Sequence, residues 1–334
     1  MTTTIADTLA RQVWDSRGRP TIEVEIRLTS GAIGRAIAPS GASMGSREAL
    51  DRRDGGKRLG GFGVDGAIRA VNEEIATRIG GLDPLAQAEI DGALIALDGT
   101  PQKTRLGGNA MVATSLALAW AAAAEQRMPL WRHLRRLAGL DEAVAHVSSP
   151  MIQIFGGGRH AVGSVDLQDF LVICPGASSF AEALEMTGEV YLAAQSIMRQ
   201  RGHLGGVADE GGLWPVFETN EAALETLTGS IELAGFSAPR EVAIALDVAA
   251  SEFMHDGGYR LSLEDRTLSS AQWLDVLAQW CDAFPIVSIE DPAGENDDAA
   301  FVEFTRRLGH RVQVVGDDFL TTNASSIRAA ATVS

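Results

Sequence analysis

Three short apolar runs in the second half of the chain each end in an acid. Val242 to Leu246 leads into Asp247, Ile286 to Ile289 into Glu290, and Val312 to Gly316 into Asp317. Parallel strands in a barrel or open sheet bring the residues at their carboxyl ends to one side, so a repeated acid there converges oxygen donors on one place. Three carboxylates suit a hard divalent cation, above all Mg2+, which takes oxygen ligands in an octahedron and keeps positions for water and an anionic substrate. Acids also follow strands simply because turns are polar. One instance carries little weight; three in matching contexts constrain the fold.

At 334 residues the chain has room for two domains, or for a large barrel with a smaller companion, and a 46% hydrophobic content can fill a core. The 28 Lys and Arg against 44 Asp and Glu leave a net charge of -16, which argues against nucleic acid or an anionic membrane as partner. Cys174 and Cys281 are the only cysteines and have no metal-ligand spacing, which fits buried thiols in a reducing compartment. The segment Met1 to Leu9 has no secretory pattern, and the most apolar helix candidate, Met111 to Ala124, is too short to span a bilayer. The expectation is a cytoplasmic protein with no membrane span.

The first 138 residues read as an α+β domain. Ile22, Val24, Ile26 and Leu28 alternate with Glu23, Glu25 and Arg27, the period of a half-buried strand, and Ser30-Gly31 turns into a second strand over Ala32 to Ala38. Helices are predicted over Ala67 to Ile79, Pro84 to Leu97 and Asn109 to Gln126. From residue 139 to 334 the rhythm is strand, loop, helix. Strands are predicted at Ile152 to Phe155 and Phe170 to Cys174. Helices are predicted at Phe180 to Arg201, Glu221 to Ala234, Ala271 to Asp282, Asp298 to Leu308 and Asn323 to Thr332. That alternation implies parallel strands with crossover helices.

Two pattern matches carry less than they promise. Gly61-Phe62-Gly63-Val64-Asp65-Gly66 fits a dinucleotide fingerprint, but a charged stretch precedes it where a buried strand belongs. Gly41-Ala42-Ser43-Met44-Gly45 fits a nucleophile elbow, with a possible helix at Arg47 to Arg53, which makes a serine hydrolase using Ser43 a remote alternative. Pro39 and the hairpin context count against it. Two glycine-rich loops have more chemical content. Gly205 to Gly212 carries Asp209 and Glu210 on backbone that can approach a ligand, and Gly156-Gly157-Gly158-Arg159-His160 sets an imidazole beside a cation after a strand. A solvated turn and a structural histidine are the plain alternatives; His133, His203 and His310 have no comparable surroundings.

Ordered blocks along nearly the whole chain resemble the enolase family. They are Ala10-Arg11-Gln12 with Asp15-Ser16-Arg17-Gly18 and Pro20-Thr21, Pro39 to Ser43, Leu97-Asp98-Gly99-Thr100, Ala208 to Gly212, Ser288-Ile289-Glu290-Asp291-Pro292, and Gly316-Asp317-Asp318 with Thr322-Asn323. The resemblance implies an α+β amino-terminal domain followed by an α/β TIM-type barrel whose first strands depart from simple βα order, incomplete in this chain. It implies Mg2+ on Asp247, Glu290 and Asp317, with Ser43 closing over a second Mg2+ once substrate is bound. Glu210 would assist departure of the hydroxyl with Asp169 in the catalytic set, and His160, Gln168, Arg159 and Ser43 would line the substrate. Sites of this superfamily use a Lys or His base with one or two Mg2+.

The implied reaction is reversible dehydration of 2-phosphoglycerate to phosphoenolpyruvate, on a small anionic phosphorylated substrate, by a homodimer. The family's base Lys and a His-Arg-Ser block fall after Ser334, so the expectation is a truncated piece, inactive by itself. Within the presumed site Asp169 replaces Glu and is shorter by about 1 Å. Gln153 and Gly156 replace Asn, Arg159 a small polar residue, Arg19 an Asn and Met44 a Thr. These departures motivate two alternatives: a diverged paralogue of secondary metabolism acting on a phosphonate analogue of 2-phosphoglycerate, and a non-catalytic, enolase-derived binding protein.

Overall fold

Ile22, Val24, Ile26 and Leu28 are each at most 1% exposed, and the strand they form, β2 (Pro20–Leu28), is the middle of an antiparallel meander. The computed structural model describes residues 2–41, 44–141 and 146–332. It divides into two units, residues 1–41 with 49–146 and residues 42–48 with 147–334.

In the first unit β2 pairs with β1 (Ile5–Trp14) on one side and β3 (Ile33–Ile37) on the other, with Val24 opposite Ala10 and Ala36. The buried face of β2 meets helix α4 (Gly108–Glu125), whose Ala110, Ala113, Ala117 and Ala121 are fully buried. Small side chains let the helix lie close to the sheet. A Cβ on Gly34 would collide with the backbone of Ala117 and Ala121. Strand β1 escaped the sequence reading because only Ile5, Thr8 and Ala10 of its ten residues are buried. The Arg11 guanidinium instead pairs with Glu23 at 2.6 Å and Glu25 at 2.9 Å across the sheet.

The predicted helix over Ala67 to Ile79 is α1 (Asp65–Arg69), a π-helical stretch (Ala70–Ile75) and α2 (Ala76–Ile79) in sequence. Helix α3 (Gln87–Asp98) starts later than Pro84, because the Asp83 side chain accepts from Leu85 N at 2.9 Å and holds the preceding residues in a turn. The basic helix α5 (Leu130–Leu137) had no sequence expectation.

The second unit is built on a seven-stranded sheet: β4 (Met151–Gly156), β5 (Asp169–Ile173), β6 (Leu204–Val207), β7 (Leu213–Pro215), β8 (Ala243–Asp247), β12 (Ile286–Glu290) and β13 (Gln313–Val315), in the order β13-β12-β8-β5-β4-β7-β6. β8, β12 and β13 are parallel, as the alternation predicts. β5 is antiparallel to both β4 and β8: the alternation alone implied parallel strands, and the departure from simple βα order that the family resemblance implied falls at these first strands. The connection from Gly157 to Gln168 contains turns and no helix, so the chain reverses rather than crossing over.

Helices α6 (Phe180–Arg201), α7 (Asn220–Leu233), α8 (Ser270–Ala283), α9 (Asp298–Leu308) and α10 (Ala324–Ala330) follow the predicted spans closely. Their starts are written in the sequence. Ser179, Thr219, Ser269, Asp297 and Asn323 each accept a backbone N–H with their side chain, a cap of about 1 kcal/mol apiece. A small meander, β9 (Met254–His255), β10 (Gly258–Leu261) and β11 (Arg266–Ser269), is inserted after β8. Phe253, Tyr259, Trp273 and Trp280 pack around it with ring centroids 5.4–6.1 Å apart. Trp273 donates from its indole to Pro292 O at 2.7 Å, which anchors the residues just past β12. No helix among the described residues is long and apolar enough to cross a membrane.

Candidate active site

The three acid-tipped strands are neighbours in register. Glu290 at the end of β12 lies opposite Asp247 at the end of β8, and opposite Val315 of β13, two residues before Asp317. Because β5 runs the other way, it delivers its first residue to the same end, and Asp169 lies opposite Asp247. Four carboxylates are thus carried across adjacent strands. Gln168 Nε2 donates to Asp247 Oδ2 at 3.0 Å. Asp291 is 2% exposed, with its φ at 40°, and accepts from Asp317 N at 3.1 Å and Asp318 N at 2.7 Å. It ties the turn after β13 to the end of β12. Aspartate tolerates the left-handed region better than most residues.

Burial and mutual repulsion hold Asp247, Glu290, Asp291 and Asp318 above the ordinary carboxylate range. Glu290 is pushed to about 7, first by burial and then by the charges of Asp291, Asp317 and Asp169. Asp247 is raised by burial, then by Glu290, Asp169 and Asp291, against the opposing hydrogen bond from Gln168. Burial likewise lifts Asp318 to about 7 and Asp291 to about 6. Packing that many acids together is costly unless a cation joins them. The donor set of Asp247, Glu290 and Asp317 is all oxygen, which fits a hard divalent ion rather than a soft one.

On the other side of Asp169 lies His160. The chain leaves β4 through Gly156, Gly157 and Gly158, and a Cβ on Gly157 would collide with Val165 and with Leu167 O, so this return needs glycine. His160 is buried, with Nδ1 at 3.0 Å from Asp169 Oδ1 and Nε2 at 3.9 Å from Glu210 Oε1. Burial disfavours the charged imidazole, but the hydrogen bond and charge of Asp169, joined by Glu210 and Asp209, outweigh it and raise the pKa. One donor atom from each of His160, Asp169 and Glu210 can be chosen within 4.8 Å of the others. The imidazole is therefore bonded to Asp169 on Nδ1 and faces the half-exposed Glu210 on its open Nε2 side. Glu210 sits on a turn closed by Ala208 N to Gly212 O at 2.8 Å and Gly211 N to Ala208 O at 3.0 Å.

Arg159 is directed elsewhere. Its Nε lies 2.5 Å from Glu252 Oε2 in an ion pair. Ser43 lies outside the described residues. The segment that follows it rests on the second unit: Ser46 N donates to Glu295 Oε2 at 2.7 Å, and Arg47 donates to Glu295 O and Phe319 O, each at 2.9 Å. A Cβ on Gly45 would fall 2.6 Å from Asp318 O, so glycine permits that close approach beside the acids. The helix expected over Arg47 to Arg53 is absent, which removes the strand–turn–helix setting of a nucleophile elbow. No strand precedes Gly61 in the stretch 51–57 either, so the dinucleotide pattern has no βα context.

The Leu97–Thr100 block has an architectural role. Asp98 is 3% exposed and accepts from the backbone N–H groups of Thr100, Arg105 and Leu106 at 2.8–3.1 Å. Two residues of the site went unassigned by the sequence reading. Asp291 was visible only as part of a block, and Gln153 only as a departure from it; their spacing says nothing about their bonding partners.

The second unit is an α/β domain with a cluster of carboxylates at the ends of neighbouring strands. Residues 5–134 match the model of the enolase N-terminal domain and residues 145–333 that of the enolase C-terminal TIM barrel domain. The chain is 46% identical over 322 residues to Enolase 1 of Desulfitobacterium hafniense (strain Y51), an alignment covering 96% of this chain and 72% of that protein. It belongs to the enolase family and is a hydro-lyase of that family.

Proposed function

We propose Mg2+-dependent, reversible dehydration of 2-phosphoglycerate to phosphoenolpyruvate as the reaction of the complete protein. The observation that carries the reading is the row of Asp169, Asp247 and Glu290 on adjacent strands, with Asp317 beside it and the Asp169–His160–Glu210 chain at one end. Asp247, Glu290 and Asp317 would hold the ion. The chemistry it supplies when bound is Lewis-acid stabilisation of negative charge that develops on the substrate carboxylate.

The chain's own residues do the rest of what is assigned here. Asp169 accepts from His160 Nδ1 and favours the charged imidazolium, whose Nε2–H is turned to the open side to meet an anionic substrate. Glu210, half exposed on the same side, is placed to protonate a departing hydroxyl. Gln168 orients the Asp247 carboxylate. Ser43, at the end of the segment anchored by Arg47, would close over the substrate. We assign the protein to the cytoplasm as a homodimer on family grounds.

The phosphonate alternative gains nothing from Arg159, whose guanidinium is engaged by Glu252. Phosphoenolpyruvate formation, followed by ultraviolet absorbance with excess Mg2+, tests the proposal. In the complete protein Glu210→Gln should lower kcat by about 10^2–10^4 fold, the usual worth of a general acid, with KM little changed. Turnover that survives both Glu210→Gln and Asp247→Ala would overturn the assignment, as would a clear preference for the phosphonate.

A further inference from the structure

Gln153 is a 5% exposed amide in the middle of β4, and every polar atom of its side chain is used. Its Oε1 accepts from Gly212 N at 2.8 Å, at the end of the turn that carries Glu210. That bond fixes the orientation of the amide, so Nε2 faces the other way and donates to Asp169 Oδ1. The same Asp169 oxygen accepts from His160 Nδ1. One side chain therefore spans from the Glu210 turn to the carboxylate that orients His160.

The space around it is cut to fit. A Cβ on Gly212 would fall 2.7 Å from Gln153 Cγ, and one on Gly156 would fall 2.5 Å from Ala208 Cβ and 3.2 Å from Gln153 Nε2. Both glycines clear a channel for the longer amide.

We propose that Gln153 is a positioning residue that couples the Glu210 turn to the His160–Asp169 pair. This rests on the reading of that site as the active one. Its test uses no activity measurement, so it stands or falls separately from the assigned reaction.

The experiment replaces Gln153 by Asn in the full chain, read by hydrogen exchange at the Gly212 amide and by the 15N signature of the His160 ring. The shorter amide cannot span both partners, so Gly212 exchange should speed about tenfold, the worth of one hydrogen bond, and the His160 Nδ1 signal should shift with it. A Gly212 amide unmoved by Gln153→Asn, or a His160 signature identical to the parent's once Gly212 is released, would overturn the proposal. Gln153→Met keeps the volume without the bonds and guards against misfolding as an explanation. In a protein whose melting temperature is held, it should still release Gly212, and protection equal to the parent would count against the coupling.

Discussion

At the scale of single residues, the acids around Glu290 set the behaviour toward protons and metal. An acid whose pKa is raised in the folded state holds its proton more tightly there than in the unfolded chain, so ionising it opposes folding. With Glu290 and Asp318 near 7 and Asp291 near 6, stability of the metal-free protein should fall as pH rises from about 4.5 through 7. Mg2+ competes with those protons, and its stabilising effect should be larger at pH 8 than at pH 5. Thermal unfolding with and without Mg2+ across that range measures both slopes. Asp247→Asn removes one charge from the cluster at nearly constant shape. It should raise the metal-free melting temperature at pH 8 and abolish the response to Mg2+; a response of parental size would remove Asp247 from the ligand set.

At the scale of elements, two contacts place the strand ends. Trp273 on α8 is fully buried among Phe253, Tyr259 and Trp280 and holds Pro292 O. Trp273→Ala should cost about 3–5 kcal/mol in denaturant unfolding and loosen the turn that follows Glu290. A cost under about 1 kcal/mol would mean the cluster repacks. In the first unit, Gly34 lets β3 lie against the backbone of α4, and Gly34→Ala should cost about 1–3 kcal/mol by overpacking, at a position where the sequence shows only a glycine in a strand. Caps and buried periodicity made α6 to α9 readable from local signals. β1 was not readable, since only Ile5, Thr8 and Ala10 of its ten residues are buried and Arg11 meets its neighbour through ion pairs, so no apolar alternation marks the strand.

At the scale of the whole molecule, the net charge of -16 bears on the approach of ions. A chain this acidic concentrates divalent cations near its surface, and salt screens that field over about 8–10 Å. The dissociation constant for Mg2+ should therefore rise steadily with monovalent salt, as calorimetric titration would show; a salt-independent constant would confine the attraction to the cluster itself. The sequence alone determined the family blocks, the α+β opening and the parallel run of β8, β12 and β13, because alternation, caps and acids at strand ends are local features written in order along the chain. Tertiary structure decided what those features meet. The reversal at Gly157 to Gln168 makes β5 antiparallel and so puts Asp169 beside Asp247, a placement that no acid-after-strand rule can find. Pairing with Glu252 gives Arg159 a partner 93 positions away, and Gln153 reaches Gly212 across 59. Such partners are chosen by packing in three dimensions, where separation along the chain carries no distance information.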